Sequence, residues 1–269
     1  MRISKSVVVN KTRPPFSRLL CLLIAFCFAG FSANAHDEQP SLYILNKAAQ
    51  PVVTVPAGSD WKPFSYIDEQ GQLKGQDVDI LRSTLNHMGY RLTYIPDIPQ
   101  RRFIDTTGKL GFNALLGATY TAERAEKYHF SEPYRTEKVA VFFLNEELEQ
   151  AQSLEELLSQ GYVGSLNLGA YYGDEFEHLR VKYYHSLFHN ETPPRRLKQL
   201  LAGRVDFVID DVDNFTIVFT EAGVNAMKRS PFYVIQTEVR FMFSKEQFEK
   251  SFVSQFNANL ANVLSRETE

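Results

Sequence analysis

The stretch GATYTAERAEKYHFSEPY, residues 117–134, decides the fold. It begins as the end of an apolar run (110–119) and turns abruptly polar, which reads as a strand passing into a helix. Thr121 is a good N-cap, and Ala122, Glu123 and Arg124 form the first helical turn. Arg124 then stands at a strand's carboxyl end, beside free backbone N–H groups and the hydroxyls of Thr119 and Thr121. In open α/β sheets that is where ligands sit. A planar guanidinium there suits one carboxylate held bidentately. The alternative is a surface Arg paired with Glu126 or Glu132.

Outward from this stretch, strand and helix alternate. Residues 52–55 are a short β-branched run, and Asp77 is placed to cap a helix whose apolar positions Val78, Leu81, Leu85 and Met88 recur at helical spacing until Gly89 stops it. Residues 91–95 return as a strand, and a second helix ends at Gly108. This βαβα order predicts a mostly parallel sheet. The order repeats downstream: a helix over 153–158, a strand over 162–166, a helix from Asp174, a helix over 194–201 and a buried strand over 205–209. The segments GKLGF (108–112) and GRVDF (203–207) share one grammar, a helix-ending Gly, a cation, an apolar residue, any residue and Phe. Two α/β lobes follow from this.

KVAVFFL (138–144) and FYVIQTEVRFMFS (232–244) lack helical period and separate the lobes. Two crossings mean that one lobe, 139–238, is inserted into the other, 51–138 plus 239–269. Two extended connections make a hinge.

The inserted lobe's buried strand ends in Asp210-Asp211-Val212-Asp213. One of these carboxylates caps the next helix, and three exceed what capping requires. Facing lobes would present a guanidinium on one side and a carboxylate on the other. That pair complements a zwitterion: carboxylate to Arg124, ammonium to Asp211. Trp61, the only tryptophan, precedes Pro63 and Phe64. It reads equally as a wall that stacks on a ligand and as a core residue.

The first 35 residues indicate the compartment. Five basic residues flank or precede an apolar run (19–31), and Ala33-Asn34-Ala35 supplies a small-x-small cleavage site, the pattern of a secretory signal peptide cut after Ala35. Both cysteines lie in that leader. Its removal leaves 234 residues, with 36–50 as an N-terminal segment. Losing five positive charges and no negative one takes the net charge from −3 to −8. An acidic chain argues against nucleic acid or anionic lipid as partner. The expectation is a periplasmic protein.

Four segments resemble the bacterial extracellular solute-binding proteins of family 3, the periplasmic receptors of amino-acid importers. They are WKPFSYIDEQGQLKGQDVDILRSTL, GATYTAERAEKYHFSEPY, SLEELLSQGYVGSLNLGAYYGDEF and LLAGRVDFVIDD, in family order across nearly the whole exported chain. The resemblance implies an α/β, two-lobed periplasmic-binding-protein fold (type II), its lobes joined by two hinge strands. It implies a monomer without cofactor or metal that binds an amino acid or related small organic acid for an inner-membrane ABC permease. In the amino-acid-binding members the Arg of a Thr-x-x-x-x-Arg pattern holds the α-carboxylate, and Thr119 and Arg124 match it. The Asp after Gly-Arg-x-Asp grips the α-ammonium, and Asp211 matches it. An aromatic residue before Pro-Phe stacks on the side chain, and Trp61 matches that.

Gly117 belongs to the same motif, and Tyr171 and Arg102 are added as candidate contacts. Tyr171 lies in Gly169-Ala170-Tyr171-Tyr172-Gly173, where members often place Ser or Thr after the glycine. Arg102 lies in IPQRRF (98–103), which resembles Pro-aromatic-x-Arg with Gln100 in place of the aromatic. Gly58 stands where some members carry an acid, with Asp60 close by. The sequence shown also stops without the family's usual last Gly-x-Tyr helix.

The resemblance extends to two other functions on the same scaffold, a cyclohexadienyl dehydratase and a sensory module of a membrane kinase. His185 and His189, four apart, lack a third ligand for a metal. No nucleophile elbow, phosphate loop or dinucleotide fingerprint occurs. Binding without catalysis is the expectation.

Overall fold

The computed structural model describes residues 50–267 apart from 58–60, 97, 99–101, 103–110, 168 and 191. The proposed leader and cleavage site, the 36–49 segment, Gly58 and Asp60, most of IPQRRF and the helix ending at Gly108 lie outside the described residues.

Strand β1 (Val52–Ala57) pairs in parallel with β4 (Arg91–Pro96), and a short hairpin of β2 (Tyr66–Ile67) and β3 (Leu73–Lys74) precedes α1 (Gln76–His87). Gly75 leads into α1 with φ 124°, and a Cβ there would fall 2.2 Å from the Phe64 carbonyl oxygen. Only glycine lets the Trp61–Ser65 turn pack this closely on the start of the helix. Asp77 is not the cap that the sequence predicts. The helix begins two residues earlier, at Gln76, and Asp77 lies buried in its first turn.

Strand β5 (Ala114–Thr119) leads into the six-residue α2 (Ala122–Lys127). The 16-residue β6 (Tyr128–Phe143) then runs into α3 (Leu154–Ser159), β7 (Gly164–Asn167), α4 (Asp174–Lys182) and β8 (Leu187–Asn190). After α5 (Pro193–Leu201) come β9 (Phe207–Asp211) and α6 (Val212–Glu221). The chain returns on the 17-residue β10 (Lys228–Ser244) and closes with α7 (Lys250–Glu267).

The main sheet has six strands in the order β5-β10-β6-β9-β7-β8. It is mixed rather than mostly parallel. β10 is antiparallel to both β5 and β6, β6 is antiparallel to β9, and only β7 with β8 and β9 is parallel. The reason lies in the two long strands. β6 leaves one packing half and β10 comes back, so the two must run in opposite senses.

The core divides accordingly. Val53, Val55, Leu81, Leu85, Phe241, Phe243 and Phe256 pack between β1, α1, β10 and α7. At the other end of β6, alternate residues serve two faces. Val139, Val141 and Phe143 pack with Phe207 and Ile209 on one, and Ala140 and Phe142 with Val208, Leu197 and Phe215 on the other. Burial on both faces explains why KVAVFFL has no polar alternation. Both long strands belong to both halves, which ties the halves by backbone hydrogen bonding along β6 and β10, with register shifts on the way.

Candidate functional site

The carboxyl ends of β5 and β9 carry the two residues that the sequence singles out. Thr121 caps α2, its hydroxyl accepting from the Arg124 amide at 3.2 Å. The Arg124 guanidinium folds back so that Nη1 donates to the Thr119 carbonyl at 2.9 Å. It forms no ion pair with Glu126 or Glu132; Glu132 instead faces Arg240 at 3.7 Å. Burial lowers the Arg124 pKa, against Glu123, Tyr171 and Glu137, which raise it. The group stays charged, as Arg always does in proteins. Among the described residues it has no carboxylate partner.

The carboxylates of 210–213 separate into three roles. Asp210 is wholly buried against the wholly buried Arg196, whose Nε and Nη2 reach Oδ2 at 2.9 and 2.6 Å. Asp211 caps α6, its Oδ1 accepting from the Asn214 amide at 2.8 Å. Asp213 is exposed in the first turn. The capping acid that the sequence expects is Asp211, while Asp210 is committed to the interior.

Between β5 and β9 lies a network that the sequence reading missed. Asp77 receives three hydrogen bonds, from the Tyr134 hydroxyl at 2.6 Å and from Arg135 Nε and Nη2 at 2.8 and 3.1 Å. The Gly117 amide donates to the Tyr134 hydroxyl at 2.8 Å, from a backbone at φ 61° that glycine adopts without strain. The Arg135 guanidinium lies 3.7 Å over the Phe64 ring. Its Nη1 is buried with no hydrogen-bond partner.

Two residues along β6, Glu137 is enclosed by protein although some of its surface stays open. No hydrogen bond or ion pair reaches its carboxyl among the described residues. Burial raises Glu137 to about 7, with Arg135 and Arg124 pulling down and Asp77 and Asp210 pushing up. Burial, and then Glu137 itself, raises Asp211 to about 8. Both carboxyls are thus raised above the ordinary carboxylate range, Asp211 in part by the charge of Glu137. The available signal was Arg135 and Glu137 themselves: opposite charges two apart in a strand must face the same side.

The other expected positions are placed as follows. Trp61 is half-buried and outside the core, its ring 6.4 Å from Phe64. The neighbouring Lys62 carbonyl accepts from Asn214 Nδ2 at 2.6 Å, and Lys62 Nζ meets Glu221 at 2.9 Å. Thr119 is buried and takes part through its carbonyl. Tyr171 is half-buried, donates to Asp174 Oδ1 at 2.5 Å and lies within electrostatic reach of Arg124. Arg102 is exposed between residues outside the described ones, and none of these contacts involves it. A cavity of about 720 Å³ bordered by Tyr120, Phe130, Gln236, Glu238 and Arg240 shares none of these residues.

The family profile of bacterial extracellular solute-binding proteins, family 3, matches residues 53–263. Cyclohexadienyl dehydratase from Pseudomonas aeruginosa is 27% identical over 161 residues, 60% of this chain; the chain spans 59% of that protein's length. A histidine kinase sensor domain with similarity to periplasmic binding proteins superposes with a TM-score of 0.69 at 20% identity, covering 81% of this chain and 92% of the other. Holo ArgBP from T. maritima gives 0.66 at 19% identity, covering 79% and 90%. The sheet order, the paired long strands and the profile match over most of the sequence agree: the chain belongs to the bacterial extracellular solute-binding proteins, family 3.

Proposed function

We propose that the protein is an exported receptor that captures a small zwitterionic solute, an amino acid, between two closing lobes and delivers it to an ABC importer of the inner membrane. One observation carries the reading. Arg124 offers a guanidinium without a carboxylate partner at the end of β5, while Asp211 presents a carboxyl at the end of β9. An α-carboxylate on the first and an α-ammonium on the second satisfy both.

In this reading the lobes are 51–138 plus 239–269 and 139–238, hinged where β6 and β10 pass between them, and Trp61 and Gly117 line the ligand. Closure follows from the ligand's preference for the closed arrangement, in which it touches both lobes. A thermal-shift screen of the exported chain against amino acids and small organic acids tests it, since binding raises stability by RT ln(1 + [L]/Kd). Calorimetric binding at one site by at least one amino acid supports the proposal. No stabilisation by any amino acid refutes it.

A second reading is favoured by Glu137. A carboxyl raised to about 7 is a competent proton donor at neutral pH, and a relative is a dehydratase. Conversion of a cyclohexadienyl acid, followed by mass spectrometry, would establish that enzyme. Binding of an amino acid without product leaves capture as the function.

A further inference from the structure

Helix α2 carries Arg124, yet little in the helix itself holds it in place. It has six residues, none of them buried, and a helix this short does not persist in water on propensity alone. Its Ala125 borders the cavity of about 720 Å³. No buried apolar face seats it on the sheet, so its two ends must hold it. At the first end Thr121 supplies the cap, and the Thr121 carbonyl accepts from the Ala125 amide at 3.0 Å.

The other end is closed by a residue 120 positions beyond Ala125. The last four carbonyls of a helix have no partners within it. Here the Tyr128 amide meets the Arg124 carbonyl, and Lys245 takes the other three. Its Nζ donates to the Ala125 and Glu126 carbonyls at 2.6 and 3.2 Å, and its amide donates to the Lys127 carbonyl at 3.1 Å. The pairing of Ser244 with Tyr128 at the end of β10 delivers Lys245 to this spot. Among the described residues its ammonium has no carboxylate partner, so its charge faces the negative end of α2.

We propose that Lys245 is a positioning residue for the ligand: by closing the carbonyl end of α2 it fixes the helix, and with it the Arg124 guanidinium, before ligand arrives. Arg124 lies between the two tied ends, and its Nη1 bond to the Thr119 carbonyl sets the fork relative to β5. With both ends held, the fork does not have to be ordered at the expense of binding free energy. Lys245 itself borders the separate cavity and acts through α2. The inference rests on the reading of Arg124 as the carboxylate grip.

Lys245→Met keeps the stem and the backbone amide bond but removes the Nζ donors, and Lys245→Arg restores donors on a side chain of similar reach. Hydrogen–deuterium exchange of the ligand-free exported chain reads the anchor directly. In Lys245→Met the amides of 122–128 should exchange at least about fivefold faster, and in Lys245→Arg much as in the wild type. Calorimetry with the protein amino acids as probes reads the consequence. Those that bind the wild type should bind Lys245→Met about tenfold more weakly and Lys245→Arg within about threefold. A double-mutant cycle with Arg124→Lys separates positioning from general stability, since Lys245→Met should cost less than about twofold more once the fork is gone. Unchanged exchange in Lys245→Met, affinity within about twofold of wild type, or losses that multiply through the cycle would each overturn the proposal. If no amino acid binds the wild type, the receptor reading falls by itself, and exchange alone decides whether Lys245 holds α2.

Discussion

Asn214 Nδ2 donates to the Lys62 carbonyl at 2.6 Å, joining the first turn of α6 to the turn that precedes α1, across 152 residues of sequence. With the Lys62–Glu221 ion pair at 2.9 Å it is a direct tie between the two packing halves away from the shared strands. The ion pair is exposed and contributes little. The hydrogen bond is partly buried and contributes about 1 kcal/mol. Asn214→Ala should therefore favour separation of the halves and weaken ligand affinity by roughly fivefold. Small-angle scattering of the ligand-free variant should show a larger radius of gyration than the wild type. An equal radius and equal affinity would make the contact incidental to closure.

The proposed carboxylate grip predicts the effect of Arg124→Lys. Lysine keeps the charge and loses the fork, costing on the order of 2–5 kcal/mol, or about thirtyfold to several-thousandfold in affinity for an amino acid. Asp211→Asn should cost a similar amount for an α-amino acid, but little for an analogue without the ammonium. Asparagine caps helices as well as aspartate does, so this variant should fold normally. Calorimetry on both variants checks the pair, and affinities within about twofold of wild type would reduce Arg124 to a surface residue of a short helix.

Stability should depend on pH in a defined direction. Glu137 and Asp211 are raised to about 7 and about 8, above the ordinary carboxylate value of about 4. Between those values the folded chain binds more protons than the unfolded one, so their contribution is complete below about pH 4 and is lost as pH rises through 7 to 8. Denaturant melts of the ligand-free protein at pH 5, 6.5 and 8 should show falling stability, with a shallower slope in the Glu137→Gln, Asp211→Asn double variant. An unchanged slope would assign the dependence to other groups.

Asp210→Asn should destabilise the fold without touching the proposed ligand. Arg196, with no exposed side-chain surface, would lose the only carboxylate partner that it has among the described residues. Leaving a buried charge uncompensated costs about 3–5 kcal/mol, on the order of 10 °C in Tm for a chain of this size. Differential scanning calorimetry measures it, and a loss of only a degree or two would mean that water or the Asn190 carbonyl, which Arg196 Nη1 already reaches at 2.9 Å, compensates.

The fluorescence of the sole tryptophan should report ligand. Trp61 is half-buried next to the turn that meets α6, so closure changes its surroundings. Should a ligand confirmed by calorimetry leave both emission and quencher access unchanged, Trp61 does not line the site.

Local chemistry settled much of this molecule in advance. Thr121 followed by Ala-Glu-Arg fixes a helix start wherever the chain goes, because the hydroxyl and the amide three residues on are bonded neighbours in sequence. The run KVAVFFL, without helical period, marked an extended crossing between the halves. What the sequence could not carry was the pairing of distant charges. That Asp77 is a triple acceptor rather than a cap, that Asp210 turns to Arg196 while Asp211 caps α6, and that Glu137 is left without a hydrogen-bond partner beside it all depend on strand order and register. Those are set by which hydrophobic faces meet across fifty to a hundred residues, and a carboxylate's role follows from the neighbours that this packing delivers.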